Sequence, residues 1–209
     1  MTDNGMVERR PHIILNMAQS INGYISGKDG ERVQISSDLD SKRVLDLRNG
    51  VDAIMIGGNT LKTDNPFLKS DNCRFRIVLK SDGILDMDSN VFKSAGTVII
   101  VNESKEKTHG NTTWISAGKP VDLKIAMNKI YSMGIRRVLL EGGKKTAMNF
   151  LRGRMVDEMY LFIGNIFIEE GGIKMLDNSK RTKEVIVNAE IMDGGILLRL
   201  NPEKIGEAL

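Results

Sequence analysis

The segment Arg136–Lys145, RRVLLEGGKK, joins a short apolar run to a glycine pair and two lysines. A continuous apolar run such as Val138–Leu140 is typical of a strand that is covered on both faces in a parallel sheet. Gly142 and Gly143 then allow a tight turn, and a helical pattern continues to about Arg154. The segment therefore predicts a strand, a turn and a helix of an α/β sheet.

Other apolar runs have a similar length and character. They predict strands at His12–Gln19, Asp52–Gly58, Phe75–Lys80, Thr97–Asn102, Thr112–Ser116 and Arg136–Glu141. Helical patterns lie between some of these runs, and strands that alternate with helices are the signature of an α/β fold.

Two helices are predicted before the one that follows Gly143. The first begins at one of three capping residues, Ser36, Ser37 or Asp38. Four apolar side chains share one face of this helix: Leu39, Val44, Leu47 and Val51. The second helix spans Val121–Met133, with Asp122 as its cap and Gly134 after its end.

The last quarter of the chain contains three strand-like stretches, at residues 158–167, 184–194 and 195–201. Gly194 and Gly195 after Asp193 predict a tight hairpin turn. We therefore expect an α/β fold with a mostly parallel sheet, flanking helices and a C-terminal antiparallel hairpin. No repeat or linker divides the chain, which predicts one domain over residues 1–209, with residues 1–11 as a flexible tail.

The composition excludes several classes of protein. Hydrophobic residues make up 41% and charged residues 27%, which is typical of a globular chain, and the net charge is only +3. Scattered basic residues and 5% aromatic residues do not indicate a nucleic acid partner. Cys73 is the single cysteine and His12 is far from His109, so neither a disulfide nor a Cys/His metal site is expected. The lone cysteine fits a reducing, cytoplasmic location. No apolar run reaches the ~18 residues of a spanning helix, so we expect no membrane partner.

The turn at Gly142 and Gly143 is a candidate phosphate site. Glycines let a ligand approach the backbone, the following helix start offers free N–H groups, and Lys144 adds positive charge. An equally acceptable interpretation is a turn that only lets the strand and the helix pack closely. Neither a G-x-G-x-x-G fingerprint nor a P-loop is present.

Three other places carry polar groups that suit a ligand site. Thr60 and Asp64 follow the predicted strand Asp52–Gly58 and would share a face if their segment were helical; a capped turn is the alternative. Gly23 allows a turn or a close ligand approach after the first strand. Arg48 suits a phosphate, although arginines on surface helices are commonly only solvated.

Taken in order, these segments resemble the reductase family of riboflavin biosynthesis. The resemblance covers about residues 12–200. Its pieces are S-x-x-G at Ser20–Gly23, LRNGVDAIMIG at Leu47–Gly57, T-x-x-x-D-x-P at Thr60–Pro66, RIVL at Arg76–Leu79, LLEGG at Leu139–Gly143 and VDE at Val156–Glu158.

The resemblance implies a dihydrofolate-reductase-like fold, a homodimer and NADPH as cofactor, with NADH as the alternative. It also implies a substrate, a pyrimidine with a ribosylamino 5′-phosphate, whose sugar is reduced to a ribityl chain. The family's cofactor-binding positions match Ala18, Thr60, Asp64, Ser81, Gly142, Gly143 and Lys144. Its substrate-binding positions match Arg48, Leu68 and Glu141. We expect Glu141 or Asp64 to handle protons.

The chain departs from the family pattern at several positions. Asn22 and Lys80 stand where the family usually has Asp, Lys144 where a third glycine is common, and Asn165 where a proline is common. Because the chain contains no zinc deaminase signature, it is more similar to the stand-alone reductases that act on the 2,5-diamino pyrimidinone. The alternatives are a reductase of 5-amino-6-ribosylaminouracil 5′-phosphate, a dihydrofolate reductase, and a non-catalytic nucleotide-binding module.

Overall fold

The computed structural model describes residues 9–80, 85–94, 96–102, 106–176 and 180–209. The strands in these ranges are β1 His12–Ser20, β2 Tyr24–Lys28, β3 Ala53–Gly57, β4 Phe75–Leu79, β5 Thr97–Asn102, β6 Lys107–His109, β7 Thr112–Ser116, β8 Arg137–Glu141, β9 Glu158–Gly164, β10 Gly172–Lys174, β11 Ile186–Met192 and β12 Gly195–Leu200. The helices are α1 Asp38–Asn49, α2 Gly58–Asp64, α3 Asn90–Lys93, α4 Leu123–Ser132, α5 Lys144–Arg152 and α6 Pro202–Ala208.

The main sheet has the strand order β11-β12-β9-β1-β8-β3-β4-β5-β7-β6. Neighbours from β9 to β7 run parallel, and antiparallel pairs occur only towards the two ends of this described sheet. The prediction of a mostly parallel sheet with a C-terminal hairpin is therefore confirmed. Met192 pairs with Gly195, so the loop consists of Asp193 and Gly194 and lies one residue earlier than expected.

Two apolar cores cover the two faces of the sheet. The first lies under α4, α5 and α6 and includes Leu15, Met55 and Ile77. The second lies under α1, α2 and α3 and includes Ile14 and Ile54. Because successive strand residues enter opposite cores, the central strands are apolar without alternation, which is the pattern that their sequences show.

Helix α1 turns both apolar and polar side chains towards the sheet: Leu47 packs against the second core and Val51 is buried in it, as predicted, but the predicted Leu39 is not covered. Leu39 is 45% exposed, whereas Asp40 is 1% exposed. Ser37 caps the helix, since its side chain accepts a hydrogen bond from the Asp40 N–H group. The ion pair of Asp40 with Arg43 offsets part of the cost of burying this carboxylate.

Several short elements were not predicted. Strands β2 and β10 form a separate two-stranded sheet, β6 extends the far edge of the main sheet, and α6 closes the chain. Strand β6 is exposed along its whole length. Because no face of it is buried, its sequence has no apolar pattern from which a strand could be predicted. Helix α6 has signals that the sequence does contain, since Asn201 caps it and Pro202 occupies its first turn.

The chain enters the fold just before β1. Residues 1–8 of the predicted tail lie outside the described residues. Arg10 donates two hydrogen bonds, of 2.6 and 2.7 Å, to the Asp157 carboxylate, and Pro11 is buried. None of the helices in the described ranges has the length and apolar character that crossing a membrane requires.

Candidate functional site

Strands β1, β8 and β3 are neighbours in the middle of the sheet, and their carboxyl ends lie at one edge. In open α/β sheets this edge is the usual place for a ligand. Asn16 of β1 pairs in register with Glu141, the last residue of β8, and with Tyr160 of β9. Side chains two residues apart in a strand lie on the same face of the sheet. Asn16 therefore lies on the same face as Ile14, which is the face that α1 covers. The inward polar side chains of α1 therefore meet the row of strand residues formed by Asn16, Glu141 and Tyr160.

Arg48 of α1 and Glu141 form a two-pronged ion pair. Arg48 Nε lies 2.8 Å from Glu141 Oε1, and Arg48 Nη2 lies 2.7 Å from Glu141 Oε2. Burial alone would lower the pKa of Arg48, but the hydrogen bond and the charge of Glu141 outweigh it and raise that pKa. The structure thus brings together two residues predicted for the substrate site.

Thr60 of α2 packs against the glycine turn that follows β8. Gly142 has φ +71° and Gly143 has φ +65°. A Cβ on Gly142 would lie 2.9 Å from Thr60 Cγ2, and one on Gly143 would lie 2.7 Å from Thr60 Oγ1. Glycine is therefore required at both positions by conformation and by space. Three residues predicted for the cofactor site are in contact here.

The first turn of α5 opens beside this glycine turn. Gly143 occupies the N-cap position, and no side chain of the described residues caps the helix there. Uncapped N–H groups and the positive end of the helix dipole suit a phosphate or diphosphate group. Lys144 is the first residue of the helix and is partly buried. These features fit the diphosphate of a dinucleotide cofactor.

The other predicted residues lie in varied surroundings. Asp64 is exposed at the end of α2, so Thr60 and Asp64 do not share one environment. Ala18 is partly buried in β1 and packs against the small core formed by β2 and its neighbours. Leu68 is buried in the second core. Ser81 lies outside the described residues.

Buried Arg76 holds the backbone at Leu68. Arg76 is 2% exposed, and it donates to the carbonyl oxygens of Leu68 at 3.0 Å and of Cys73 at 2.8 Å. Burial lowers the pKa of Arg76. Leu68 has φ +48°, a strained conformation for leucine. The loop between α2 and β4 is therefore fixed next to Arg48, whose Nη1 lies 3.4 Å from the Lys69 carbonyl oxygen.

Sequence reasoning missed a second polar group beside Arg48. Arg43 donates to Asp40 Oδ1 and, at 2.8 Å, to Asn16 Oδ1, and its guanidinium lies 5.7 Å from the centre of the Tyr160 ring. The sequence feature that could have revealed this pair is the i, i+3 spacing of Asp40 and Arg43, one turn before Arg48. The contacts with Asn16 and Tyr160 are tertiary and leave no local pattern.

Asn22 shows how the chain uses one departure from the family pattern. Its Oδ1 accepts from the Ser20 hydroxyl at 2.7 Å and from the Ile168 N–H group at 3.2 Å. Its Nδ2 donates to the Ile168 carbonyl oxygen at 2.7 Å. A carboxylate has no proton for that last bond. The amide therefore joins the turn after β1 to the segment after β9. In the described part of the chain, no group of three His, Cys, Asp or Glu side chains suits a metal ion.

Known proteins share this sequence and this fold. A reductase of Methanothermobacter thermautotrophicus, named 2,5-diamino-6-ribosylamino-4(3H)-pyrimidinone 5′-phosphate reductase, is 33% identical over 76% of this chain and 80% of its own length. An Aquifex aeolicus protein with the same name is 29% identical over 73% of this chain and 75% of its own length.

Solved structures agree on the fold. The riboflavin biosynthesis reductase of Saccharomyces cerevisiae has a TM-score of 0.77 at 20% identity, over 96% of this chain and 92% of its own. The RibD protein of Acinetobacter baumannii has a TM-score of 0.78 at 18% identity over 91% of this chain, and this chain spans only 57% of its length. The fold is therefore the dihydrofolate-reductase-like fold that was predicted.

The family assignment rests on the sequence. The model of the RibD C-terminal domain matches residues 11–191, which include both the β1 end of the site and the Glu141 turn. Because this match extends over most of the chain, the chain belongs to the family of RibD C-terminal domains.

Proposed function

We propose that this chain is a cytoplasmic NADPH-dependent reductase of 2,5-diamino-6-ribosylamino-4(3H)-pyrimidinone 5′-phosphate. The reaction reduces the ribosylamino group to a ribitylamino group. The names of the relatives support the substrate. The observation that carries the proposal is the Arg48–Glu141 pair, because it sets a phosphate-binding cation directly beside the glycine turn. We also propose that residues 1–209 act as one domain.

The cofactor site is proposed at Gly142, Gly143 and the first turn of α5. The two glycines leave the backbone open, and the uncapped N–H groups of α5 would hold the diphosphate together with Lys144. Thr60 would line this turn, and Ala18, Asp64 and Ser81 would contact other parts of the cofactor. A bound nicotinamide supplies a hydride. The choice of NADPH over NADH is part of the proposal.

The substrate site is proposed between α1 and the row of strand residues. Glu141 uses both oxygens on Arg48, so it fixes the guanidinium in one orientation. Among the described residues, Arg48 Nη1 makes one long contact, with the Lys69 carbonyl oxygen, and this edge would receive the substrate phosphate. The backbone at Leu68, held by Arg76, would form the wall beside that phosphate.

Glu141 and Asp64 are the carboxylates proposed for proton transfer. Opening of the aminosugar moves a proton from the amine nitrogen to the ring oxygen and leaves a C1′=N Schiff base. Addition of the hydride to C1′ and of a proton to nitrogen completes the ribitylamino product. Glu141 can take part only if Arg48 shifts towards the phosphate and frees one carboxylate oxygen, since both now accept from Arg48.

An absorbance assay tests the function. The purified protein is mixed with NADPH and the diamino pyrimidinone phosphate, and the loss of reduced nicotinamide absorbance is followed. Parallel reactions contain NADH, the deaminated uracil analogue or dihydrofolate. We expect the fastest oxidation with NADPH and the diamino compound. Faster turnover of the uracil analogue or of dihydrofolate would replace the proposed substrate, and cofactor binding without turnover of any compound would indicate a non-catalytic module.

We also propose a homodimer formed through β11. This strand ends the sheet, and Ile191 is 87% exposed, with Val187 and Ile196 exposed beside it. An open strand edge with apolar side chains is a surface that proteins usually cover. A second copy of the chain would cover it and leave the candidate site at the carboxyl edge accessible.

A further inference from the structure

Asp40 is a buried carboxylate on the inward face of α1. Its Oδ1 accepts from Arg43 Nε at 2.9 Å and from Arg43 Nη2 at 2.7 Å. Its Oδ2 and Arg43 Nη1 are buried and have no hydrogen-bond partner among the described residues. Leaving both atoms unpaired costs stability, so simple stabilisation of α1 does not account for the pair.

Arg43 is held from several sides. Asp40 accepts from one edge of the guanidinium, the ring of Tyr160 lies 5.7 Å from its centre, and Nη2 also reaches Asn16 Oδ1 at 2.8 Å. A guanidinium is planar and donates in fixed directions. Once Asp40 and Tyr160 fix its plane, the direction of the bond to Asn16 is fixed as well.

This bond selects one of two orientations of the Asn16 amide. The oxygen and the nitrogen of an amide are nearly the same size, so packing alone does not decide which of them faces a ligand. Because Oδ1 accepts from Arg43, Nδ2 points away from Arg43, and it makes no hydrogen bond among the described residues. Asn16 stands in register with Glu141, so this free donor lies on the neighbouring strand of the candidate site.

We propose that Arg43 is a positioning residue for the substrate site, which it serves by fixing the Asn16 amide so that Nδ2 is presented to the substrate. The inference rests on the proposed function. Asp40 supports Arg43 from behind and does not touch the substrate. The opposite orientation would turn an N–H group of Asn16 towards Arg43 and would present an acceptor beside the Glu141 carboxylate, which would repel an electron-rich group of the ligand.

Activity measurements separate this role from a purely structural one. Asn16→Asp keeps an oxygen for Arg43 but removes the donor. We expect a thermal midpoint at least equal to wild type and a kcat/KM about 10- to 100-fold lower, the range of one hydrogen bond to a charged or polar group. Arg43→Met is expected to lower kcat/KM by a similar factor, with NADPH affinity unchanged. Arg43→Lys should restore part of the loss.

A double-mutant cycle tests whether Arg43 acts through Asn16. If Arg43 acts through Asn16, the Arg43→Met, Asn16→Ala double variant loses no more activity than the worse single variant. The proposal would be overturned if the fold-losses of the two single variants multiplied in the double variant, or if Asn16→Asp kept full activity. Either result would leave the reductase function intact. Absence of turnover by the wild-type protein would instead overturn the proposed function.

A structural measurement tests the inference without turnover. The side-chain amide signals of Asn16 are assigned by NMR through their loss in Asn16→Ala. In Arg43→Lys, which keeps the charge, we expect these signals to move or to broaden, because the amide is no longer held in one orientation. Unchanged Asn16 amide signals in both Arg43→Lys and Arg43→Met would overturn the proposal.

Discussion

Arg48 meets Glu141 with only one edge of its guanidinium. Nε and Nη2 face the carboxylate, while Nη1 lies 3.4 Å from the Lys69 carbonyl oxygen. The ion pair fixes the orientation of the guanidinium and leaves the Nη1 edge with one long contact among the described residues, which suits the phosphate contact proposed above. Of the two sequence interpretations of Arg48, the ion pair with Glu141 favours the one that places it in the site.

Arg48→Ala is expected to raise the substrate KM by about 10- to 100-fold, because the loss of one charge-assisted phosphate contact costs ~1.5–3 kcal/mol. NADPH affinity should stay within about twofold. Steady-state kinetics and cofactor titration by fluorescence measure both quantities. Arg137→Ala, at the opposite end of β8, is the control and should change neither. A weaker cofactor affinity in Arg48→Ala would contradict the placement of Arg48.

Gly143→Val is expected to weaken NADPH binding by more than about tenfold, since a side chain there meets Thr60 Oγ1 and requires a left-handed backbone. Gly134→Ala is the matched control: Gly134 also has positive φ, at +88°, but a Cβ there meets nothing within 4 Å. Both variants are checked for folding by circular dichroism before titration. Unchanged cofactor affinity in a folded Gly143→Val would argue against the diphosphate site at this turn.

Residue types and local spacing predicted some residues of the candidate site, but not the side chains with which those residues pair. Gly142 and Gly143 stood out because two glycines between a strand and a helix are unusual in sequence. Asn16 did not stand out, because one amide in an apolar run has no local signal of its partner. Its importance comes from the register of β1 with β8 and from Arg43, which are tertiary facts.

At the scale of elements, the central strands were predicted best. Strands β3, β4, β5 and β7 lie within one or two residues of the expected bounds. In β3 and β5 the reason is burial on both faces, which makes their centres continuously apolar. The face of α1 was predicted only in part: Leu47 and Val51 pack in the second core, whereas Leu39 is exposed and Asp40 is buried.

The junction of β1 and β9 makes stability depend on pH. Asp157 accepts from the Ile13 N–H group at 2.7 Å as well as from Arg10. Burial would raise the pKa of Asp157, but these hydrogen bonds outweigh it and lower that pKa. A carboxyl group whose pKa is lower in the folded state stabilises the fold above its unfolded pKa of about 3.9, and this contribution is lost as the pH falls through the folded value.

Asp157→Asn is therefore expected to lower the free energy of unfolding by about 2 kcal/mol at neutral pH. The difference from wild type should stay constant down to about pH 4 and shrink below it. Urea titrations across this range measure it, with Glu170→Gln, an exposed position outside the proposed dimer surface, as the charge-matched control. A difference that grows on acidification would show that the Arg10 and Ile13 contacts do not stabilise the ionised form.

At the scale of the whole molecule, a substitution in the apolar edge at β11 tests the proposed dimer. Ile191→Asp is expected to convert a dimer into a folded monomer, because a buried unpaired carboxylate would oppose association. Size-exclusion chromatography with light scattering gives the mass. Ile125→Asp, which replaces an isoleucine of α4 that is 45% exposed, is the control and should leave the mass unchanged. A wild-type monomer, or a dimeric Ile191→Asp, would contradict this interface.

The pairing of β1 with β8 also has a consequence for biosynthesis. During synthesis, strand β1 gains a neighbour on one side only when β8, far along the chain, has been made, and on its other side only when β9 has been made. Parallel pairs between such distant segments form late and slowly. A nascent chain that stops before Glu141 therefore exposes an unfinished sheet centre, and it depends on chaperones during translation more than a protein built from adjacent hairpins does.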